Sequence, residues 1–210
     1  MSHNETLPDK DSLVFGYCGP NESDDTLRKM QAVESIFQSA LENKLSFDVV
    51  TAVTEDKLFD LVTKLGIKSQ GLIIVLEELI INSVEHGNGR PDLYFECESG
   101  LLTFIMRDRG VGIHEQIPRN PRLSDTKGKS TSSILRLALE EGITGTGVVG
   151  RGMGLYYLSK FVVDHDANCL VASNRGYVVQ SRDVFHERST NKDVDGTIVI
   201  LQVANREVGL

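Results

Sequence analysis

The sequence predicts an α/β (α+β) two-layer sandwich, in which a mixed β-sheet carries helices on one face. Three patterns indicate this fold class. Segments with helical periodicity alternate along the chain with short segments rich in β-branched residues. Residues 72–87 predict a helix that is apolar on nearly every side, as expected for a helix buried in a core. The 210 residues suffice for one domain with a substantial core.

Composition and charge narrow the functional classes. The formal net charge is −8, with acidic and basic residues mixed along the chain, which argues against a nucleic-acid surface. Cys18, Cys97 and Cys169 lie far apart and match no metal spacing or disulfide framework, so we expect reduced thiols. The first eleven residues are polar, and the longest apolar run is too short to span a membrane. These observations predict a cytoplasmic protein without membrane or direct nucleic-acid contacts.

Residues 1–44 are predicted to form an N-terminal extension that contains one amphipathic helix. The helix is expected over residues 26–43, because apolar residues recur there at helical spacing. Packing of its apolar face against the rest of the domain is one interpretation, and a homodimer or partner surface is the other. The apolar residues are Leu27, Met30, Val33, Phe37, Ala40 and Leu41.

Residues 45–204 are predicted to form the main domain. Gly66 is suited to end one helix and Ser69 to cap the next. Ser99-Gly100 and residues 174–176 predict turns between strands. In order, we expect strands at 45–53, 92–98, 101–107, 168–173, 177–180 and 196–203, and helices at 55–65, 72–87, 134–141 and 155–163.

Two polar stretches, residues 114–133 and 181–195, are predicted to be loops. The first contains Pro118, Pro121 and Gly128, which interrupt both helical and strand periodicity. A loop as long as the first is often a functional lid or disordered.

The central helix carries the first candidate site residues. Glu78, Asn82 and Glu85 fall on one narrow stripe of the helix over residues 72–87. A buried carboxylate or amide needs a hydrogen-bond partner, a water or a metal. A ligand cleft that holds Mg²⁺ and a general base is one interpretation. A core helix whose polar groups bond to neighbouring backbone is the other.

A second candidate feature follows a predicted strand and reads Asp108-x-Gly110-x-Gly112. A carboxylate at a buried strand end can accept a hydrogen bond from an exocyclic amine. Glycines beside it let a flat ligand approach the backbone. An Asp-initiated turn at the end of a strand would give the same pattern.

Two further glycine features come later in the chain. Gly150, Arg151, Gly152 and Met153 lead into the helix that begins with Gly154 and Leu155, and free N–H groups at a helix start suit phosphates. A flexible connector is the alternative. Gly196-Thr197 opens the last strand, which is also compatible with a simple strand start or bulge.

The order of these features resembles the Bergerat-fold ATPases, the superfamily of gyrase, heat-shock chaperones, histidine kinases and mismatch-repair proteins. The shared order is acid-x₃-Asn on a helix, Asp-x-Gly-x-Gly after a strand, a polar lid, Gly-x-Gly-x-Gly into a helix, and Gly-Thr on a strand. The resemblance covers residues 45–203 and implies that residues 45–204 form an ATP-binding domain. It also implies a lid over residues 114–149.

Within that superfamily, the chain most resembles the anti-sigma-factor serine/threonine protein kinases. GIKSQGLIIVLEELIINSVEHG is similar to their approach to the conserved Asn, and GRGMGLYYLSKFVVD to their glycine box. Histidine kinases commonly carry lysine where this chain has Glu85. The helix over residues 26–43 also lacks a phosphoacceptor histidine, so a complete histidine kinase is not expected.

The resemblance implies a role for each candidate residue. Glu78 would polarise the attacking hydroxyl or water, and Asn82 would hold Mg²⁺. Asp108, with Gly110 and Gly112 beside it, would read the adenine amine, and Thr197 would support that end. The residues expected at the phosphates are Gly150, Arg151, Gly152, Met153, Gly154 and Leu155.

The expected function is therefore ATP- and Mg²⁺-dependent phosphorylation of a serine or threonine on a small regulatory protein. The resemblance also allows a second partner such as a sigma factor. The alternative is a nucleotide-gated ATPase or switch subunit, or a histidine-kinase-like ATP-binding domain without its own phosphoacceptor histidine.

Overall fold

The structure, a computed structural model, describes residues 24–86, 89–143, 145 and 153–209. Its helices are α1 (Asp24–Leu41), α2 (Glu55–Leu65), α3 (Gln70–His86), α4 (Ile113–Gln116), α5 (Thr131–Ala138), α6 (Gly154–Asp164) and α7 (Asn205–Val208). Its strands are β1 (Asp48–Val50), β2 (Asp92–Glu98), β3 (Leu101–Asp108), β4 (Asn168–Gln180) and β5 (Phe185–Ala204).

The strands form one five-stranded sheet in the order β1-β2-β3-β5-β4, and every pair within it is antiparallel. The prediction of a mixed sheet is therefore wrong, while the α+β sandwich is confirmed. Tight turns account for part of the difference, since antiparallel neighbours can be joined by them and parallel neighbours cannot. Ser99 and Gly100 form such a turn, with φ angles of 52° and 79°.

The main core lies between one face of the sheet and helices α2, α3, α5 and α6. Leu72, Leu76, Phe104, Leu158 and Leu201 are among its buried side chains. Alternate residues of β3 and β5 face this core because successive side chains in a strand point to opposite faces. The central helix is thus buried, as its composition predicts.

Helix α1 covers the other face of the sheet, which corrects the prediction of helices on one face only. Phe37 is fully buried, and its ring lies 5.1 Å from that of Tyr177 on β4. The Tyr177 hydroxyl donates to a Glu34 carboxylate oxygen at 3.1 Å. Lys29 is 3.3 Å from Asp166. The apolar face of α1 therefore packs on the same chain.

Local signals place several elements correctly. The Thr54 hydroxyl accepts the Lys57 N–H at the start of α2, and Gly66 ends that helix with φ of 71°. The Ser69 hydroxyl accepts the Leu72 N–H at 3.3 Å, so it caps α3 as predicted. The strand predicted over 45–53 shortens to β1.

The two predicted loops contain regular structure. Residues 114–133 hold α4, two 3₁₀ turns at Ile117–Arg119 and Pro121–Thr126, and the start of α5. Most of residues 181–195 belong to β5, so the loop prediction is wrong there. Its polar side chains find partners across the fold, because Glu187 accepts from Ser133 at 2.9 Å and lies 3.4 Å from Arg136.

Strand β4 is not straight. Its register with β5 shifts between Ser173 and Gly176, and Asn174 has φ of 48°. The Gln180 backbone N–H donates to the Cys169 thiol, so the two ends of β4 lie close together. This reversal agrees with the turn predicted at residues 174–176.

Among the residues that the structure describes, no helix combines the length and apolar character needed to cross a membrane.

Phe37→Ala should lower the free energy of unfolding by about 3–5 kcal/mol, because it leaves a cavity between α1 and the sheet. Denaturant unfolding of the full chain measures this change. Phe59→Ala is the matched control, since Phe59 is 72% exposed on α2. Equal effects of the two substitutions would show that α1 is not docked on the sheet.

Candidate functional site

One cavity brings together six of the residues singled out by the sequence. It lies between α3, the end of β3, the adjoining part of β5 near Thr197, the α4–α5 region and the start of α6. Its apolar wall includes Met106, Ile113, Ile117, Ile143 and Val199. The six predicted residues that line it are Asn82, Asp108, Gly112, Gly154, Leu155 and Thr197.

Asp108 ends β3 and supplies the carboxylate of this cavity. Its Oδ1 accepts the Gly110 backbone N–H at 2.8 Å and the Thr197 backbone N–H at 3.2 Å. Burial raises the pKa of the Asp108 carboxyl, and these hydrogen bonds offset only part of that effect. The ionised carboxylate therefore joins β3 to β5 at a cost in folding stability. A hydrogen-bond donor in the cavity would reduce that cost.

The glycines around Asp108 are required by the space they occupy. Gly196 has φ of 75°, and a Cβ there would lie 2.7 Å from Asp108 Oδ1. Gly112 has φ of 80°, and a Cβ there would lie 3.0 Å from His114 Nδ1. The Ser173 hydroxyl donates to the Gly196 carbonyl at 3.0 Å. This end of the cavity is therefore built from tightly fitted backbone.

The predicted polar stripe of α3 is only partly in the cavity. Asn82 lines it, whereas Glu78 is not among the lining residues and Glu85 is exposed. Glu78 nevertheless lies one turn from Asn82 on the side that faces α6. Burial, with the neighbouring Glu85 and Glu77 charges, raises the pKa of the Glu78 carboxyl.

Gly154 lets α6 approach α3 at this point. A Cβ on Gly154 would collide with the Asn82 amide nitrogen and would lie 3.3 Å from Glu78 Cβ. The Met153 carbonyl accepts the Tyr157 N–H at 2.7 Å within the first turn of α6. The start of α6 therefore touches the two polar residues for which the sequence predicts catalytic and metal-binding roles.

The rest of the predicted phosphate segment, Gly150, Arg151 and Gly152, lies outside the described residues. Gly110 takes part through its N–H bond to Asp108 rather than by lining the cavity.

Sequence reasoning missed three polar residues of the cavity wall, Ser83, His86 and Gln116. His86 follows Asn82 by four residues and Ser83 follows the lining residue Leu79 by four, so the period of α3 could have identified them. Gln116 belongs to α4, which the sequence predicts as loop, and no pattern marked it. The Ser83 hydroxyl donates to the Leu79 carbonyl at 2.9 Å.

Asn82 and Glu78 have the chemistry of magnesium ligands, since Mg²⁺ prefers oxygen ligands and needs only one or two from the protein. Neither side chain has a hydrogen bond or ion pair to another residue within the described ranges. A preformed cluster of three His, Cys, Asp or Glu side chains is absent from the same part of the chain.

Comparison of the chain with protein-family models finds no match, and comparison with curated proteins finds none either.

Asp108→Asn should raise Tm near pH 7 while weakening ligands that donate an amine to Asp108 by about tenfold or more. The folded pKa is raised, so Asp108 ionisation destabilises the fold as pH rises above about 4. Asparagine keeps an oxygen for both N–H groups and removes the charge.

Thermal unfolding from pH 4 to pH 8 tests whether ionisation of Asp108 lowers stability. If it does, the substitution should flatten the decline in stability with rising pH. Asp60→Asn is the control, since Asp60 is exposed on α2. A pH profile of stability that Asp108→Asn leaves unchanged would contradict the assigned cost of burial.

Gly154→Ala should lower stability by about 1–3 kcal/mol, because its methyl group would enter the space of the Asn82 amide. Denaturant unfolding measures the loss. Adding Asn82→Ser should restore part of it by making room for the methyl group. Failure of the double substitution to recover any stability would contradict close α3–α6 packing as the cause.

Proposed function

We propose that the protein binds ATP with Mg²⁺ in this cavity and phosphorylates a serine or threonine on a small regulatory protein, in the manner of the Bergerat-fold kinases. The observation that carries the proposal is the meeting of Asn82, Asp108, Gly154 and Thr197 in one cavity, although they lie far apart in sequence. Their order in the sequence is the one on which the resemblance rests.

An adenine ring suits the Asp108 end of the cavity. A flat, largely apolar ring would pack between the apolar wall residues Met106, Ile113 and Val199. Its exocyclic amine would donate to the Asp108 carboxylate, which burial leaves poorly solvated. Guanine offers a carbonyl at that position, so it would face Asp108 with an acceptor instead of a donor. Selectivity for adenine therefore follows from one carboxylate.

The phosphates would extend toward α6 and the polar residues of α3. The Asn82 amide oxygen would hold Mg²⁺, and Glu78 would accept the proton of the attacking hydroxyl. When bound, Mg²⁺ supplies charge neutralisation at the transferring phosphoryl group. The raised pKa of the Glu78 carboxyl makes it a stronger proton acceptor once it is ionised.

An ATPase or nucleotide-gated switch is the second candidate. It is favoured by the partial exposure of Glu78, which leaves its carboxylate accessible to water as well as to a protein hydroxyl. The nature of the acceptor, rather than the nucleotide site, separates the two functions.

Glu78→Gln should lower phosphoryl transfer by about 10²- to 10⁴-fold and leave ATP affinity within about threefold of wild type, because only proton transfer is lost. Turnover is measured with γ-labelled ATP and an extract of the source cell, and affinity by calorimetry with MgATP. Glu98→Gln is the control, since Glu98 is an exposed carboxylate on β2 and is not among the charges that raise the pKa of Glu78.

A labelled small protein would support the kinase, and labelled free phosphate alone would support the ATPase. Absence of ATP binding by the wild-type chain would overturn both. Equal loss of binding and turnover in Glu78→Gln would assign Glu78 a structural role.

A further inference from the structure

A second concave surface lies on the opposite side of α3 from the cavity. This α2–α3 groove is lined by Val53, Thr54, Glu55, Asp56, Ile80, Ile81, Val84, Glu85 and Arg90. Its volume is about 520 Å³, and it runs between the start of α2 and the second half of α3. The groove is therefore separate from the site proposed for ATP.

The floor and one wall of the groove are apolar, and the wall is open to solvent. Ile81 is 38% exposed and Val84 is 50% exposed, while Val53 and Ile80 form the buried floor. Ile74 is 43% exposed one heptad before Ile81, so it continues the same stripe along α3. Contiguous exposed apolar surface with a polar rim is typical of a protein-binding site. The shape suits a helix, whose apolar stripe repeats with the same period.

The charges on the rim select the kind of helix. Glu55, Asp56 and Glu85 contribute three carboxylates, against the single guanidinium of Arg90. Glu55 and Asp56 form no ion pair within the described part of the chain. We propose that the α2–α3 groove docks an amphipathic helix of a partner protein that carries Lys or Arg on both sides of an apolar stripe.

The same charges argue against two other occupants. A second copy of this chain in a two-fold contact would place each acidic rim against itself, which is unfavourable. Residues 1–23 of the chain contain Glu5, Asp9, Asp11 and Glu22, whereas Lys10 is their only Lys or Arg. That segment would therefore also bring net negative charge to a negative rim.

Docking in this groove does not depend on nucleotide binding, so the two proposals can fail separately. Both surfaces nevertheless involve α3, since Asn82 and Ser83 line the cavity while Ile81 and Val84 line the groove.

The test uses the full chain and two fluorescent synthetic helices of about 18 residues, long enough to become helical. Both carry the same Leu stripe, one with Lys on its flanks and the other with Glu. Fluorescence anisotropy should give about tenfold tighter binding of the Lys-flanked helix at low salt, and the difference should shrink as salt is added. Equal affinity for the two helices, or binding of neither, would overturn the proposal.

Variants locate the binding site. Val84→Ser should weaken binding of the Lys-flanked helix by about tenfold, because it removes apolar contact area. Val163→Ser is the matched control on α6, where Val163 is 39% exposed, and it should have no effect. Asp56→Lys combined with Glu55→Lys should reverse the preference between the two helices. Equal weakening by both valine substitutions, or an unchanged preference in the double variant, would overturn the proposal.

Sedimentation of the same variants tests whether a second copy of this chain occupies the groove. Dimerisation of the wild-type chain that Val84→Ser abolishes and Val163→Ser preserves would identify the groove as a self-association surface, and would also overturn the proposal. Circular dichroism of each variant shows that the fold is retained.

Discussion

The buried carboxylate of Asp108 is the constraint on which the cavity depends. One oxygen accepts two backbone N–H groups, one from Gly110 in the loop after β3 and one from Thr197 within β5, so it ties the end of β3 to β5. The arrangement leaves no room for a side chain at Gly196. Since burial raises the carboxyl pKa, the fold retains a charge that costs stability. A stability cost at a cavity wall is typical of a functional site.

Helix α3 connects the cavity with the main core of the molecule. Its buried face supplies much of the main core, and its polar stripe turns toward α6 at Asn82 and Glu78. On the second face of the sheet, α1 packs through Phe37, and Glu34 accepts a hydrogen bond from Tyr177. The proposed nucleotide site and the proposed docking groove both use residues of α3.

The sequence predicts the elements that are determined by neighbouring residues. It misses the elements that are determined by contacts between residues far apart in the chain. Helix α2 and the β2–β3 turn follow from capping and turn residues, and the cavity residues follow from motif order. The sequence predicts a loop for the polar residues of β5, and it cannot show that their partners lie far away along the chain, as those of Glu187, Ser133 and Arg136, do. The position of α1 on the second face likewise depends on Tyr177, which no pattern within α1 can reveal.

The glycines that precede and begin α6 support nucleotide binding less strongly than their sequence pattern suggests. Gly154 has a packing reason to be glycine, because it lies against Asn82 and Glu78, and that reason holds with or without a bound phosphate. Gly150 and Gly152 lie outside the described residues. The proposal of a nucleotide therefore depends more on the other end of the cavity, where Asp108, Thr197 and an apolar wall meet. Two backbone N–H groups offset part of the cost of burying the Asp108 carboxylate, and the amine of the proposed ligand would supply a further donor.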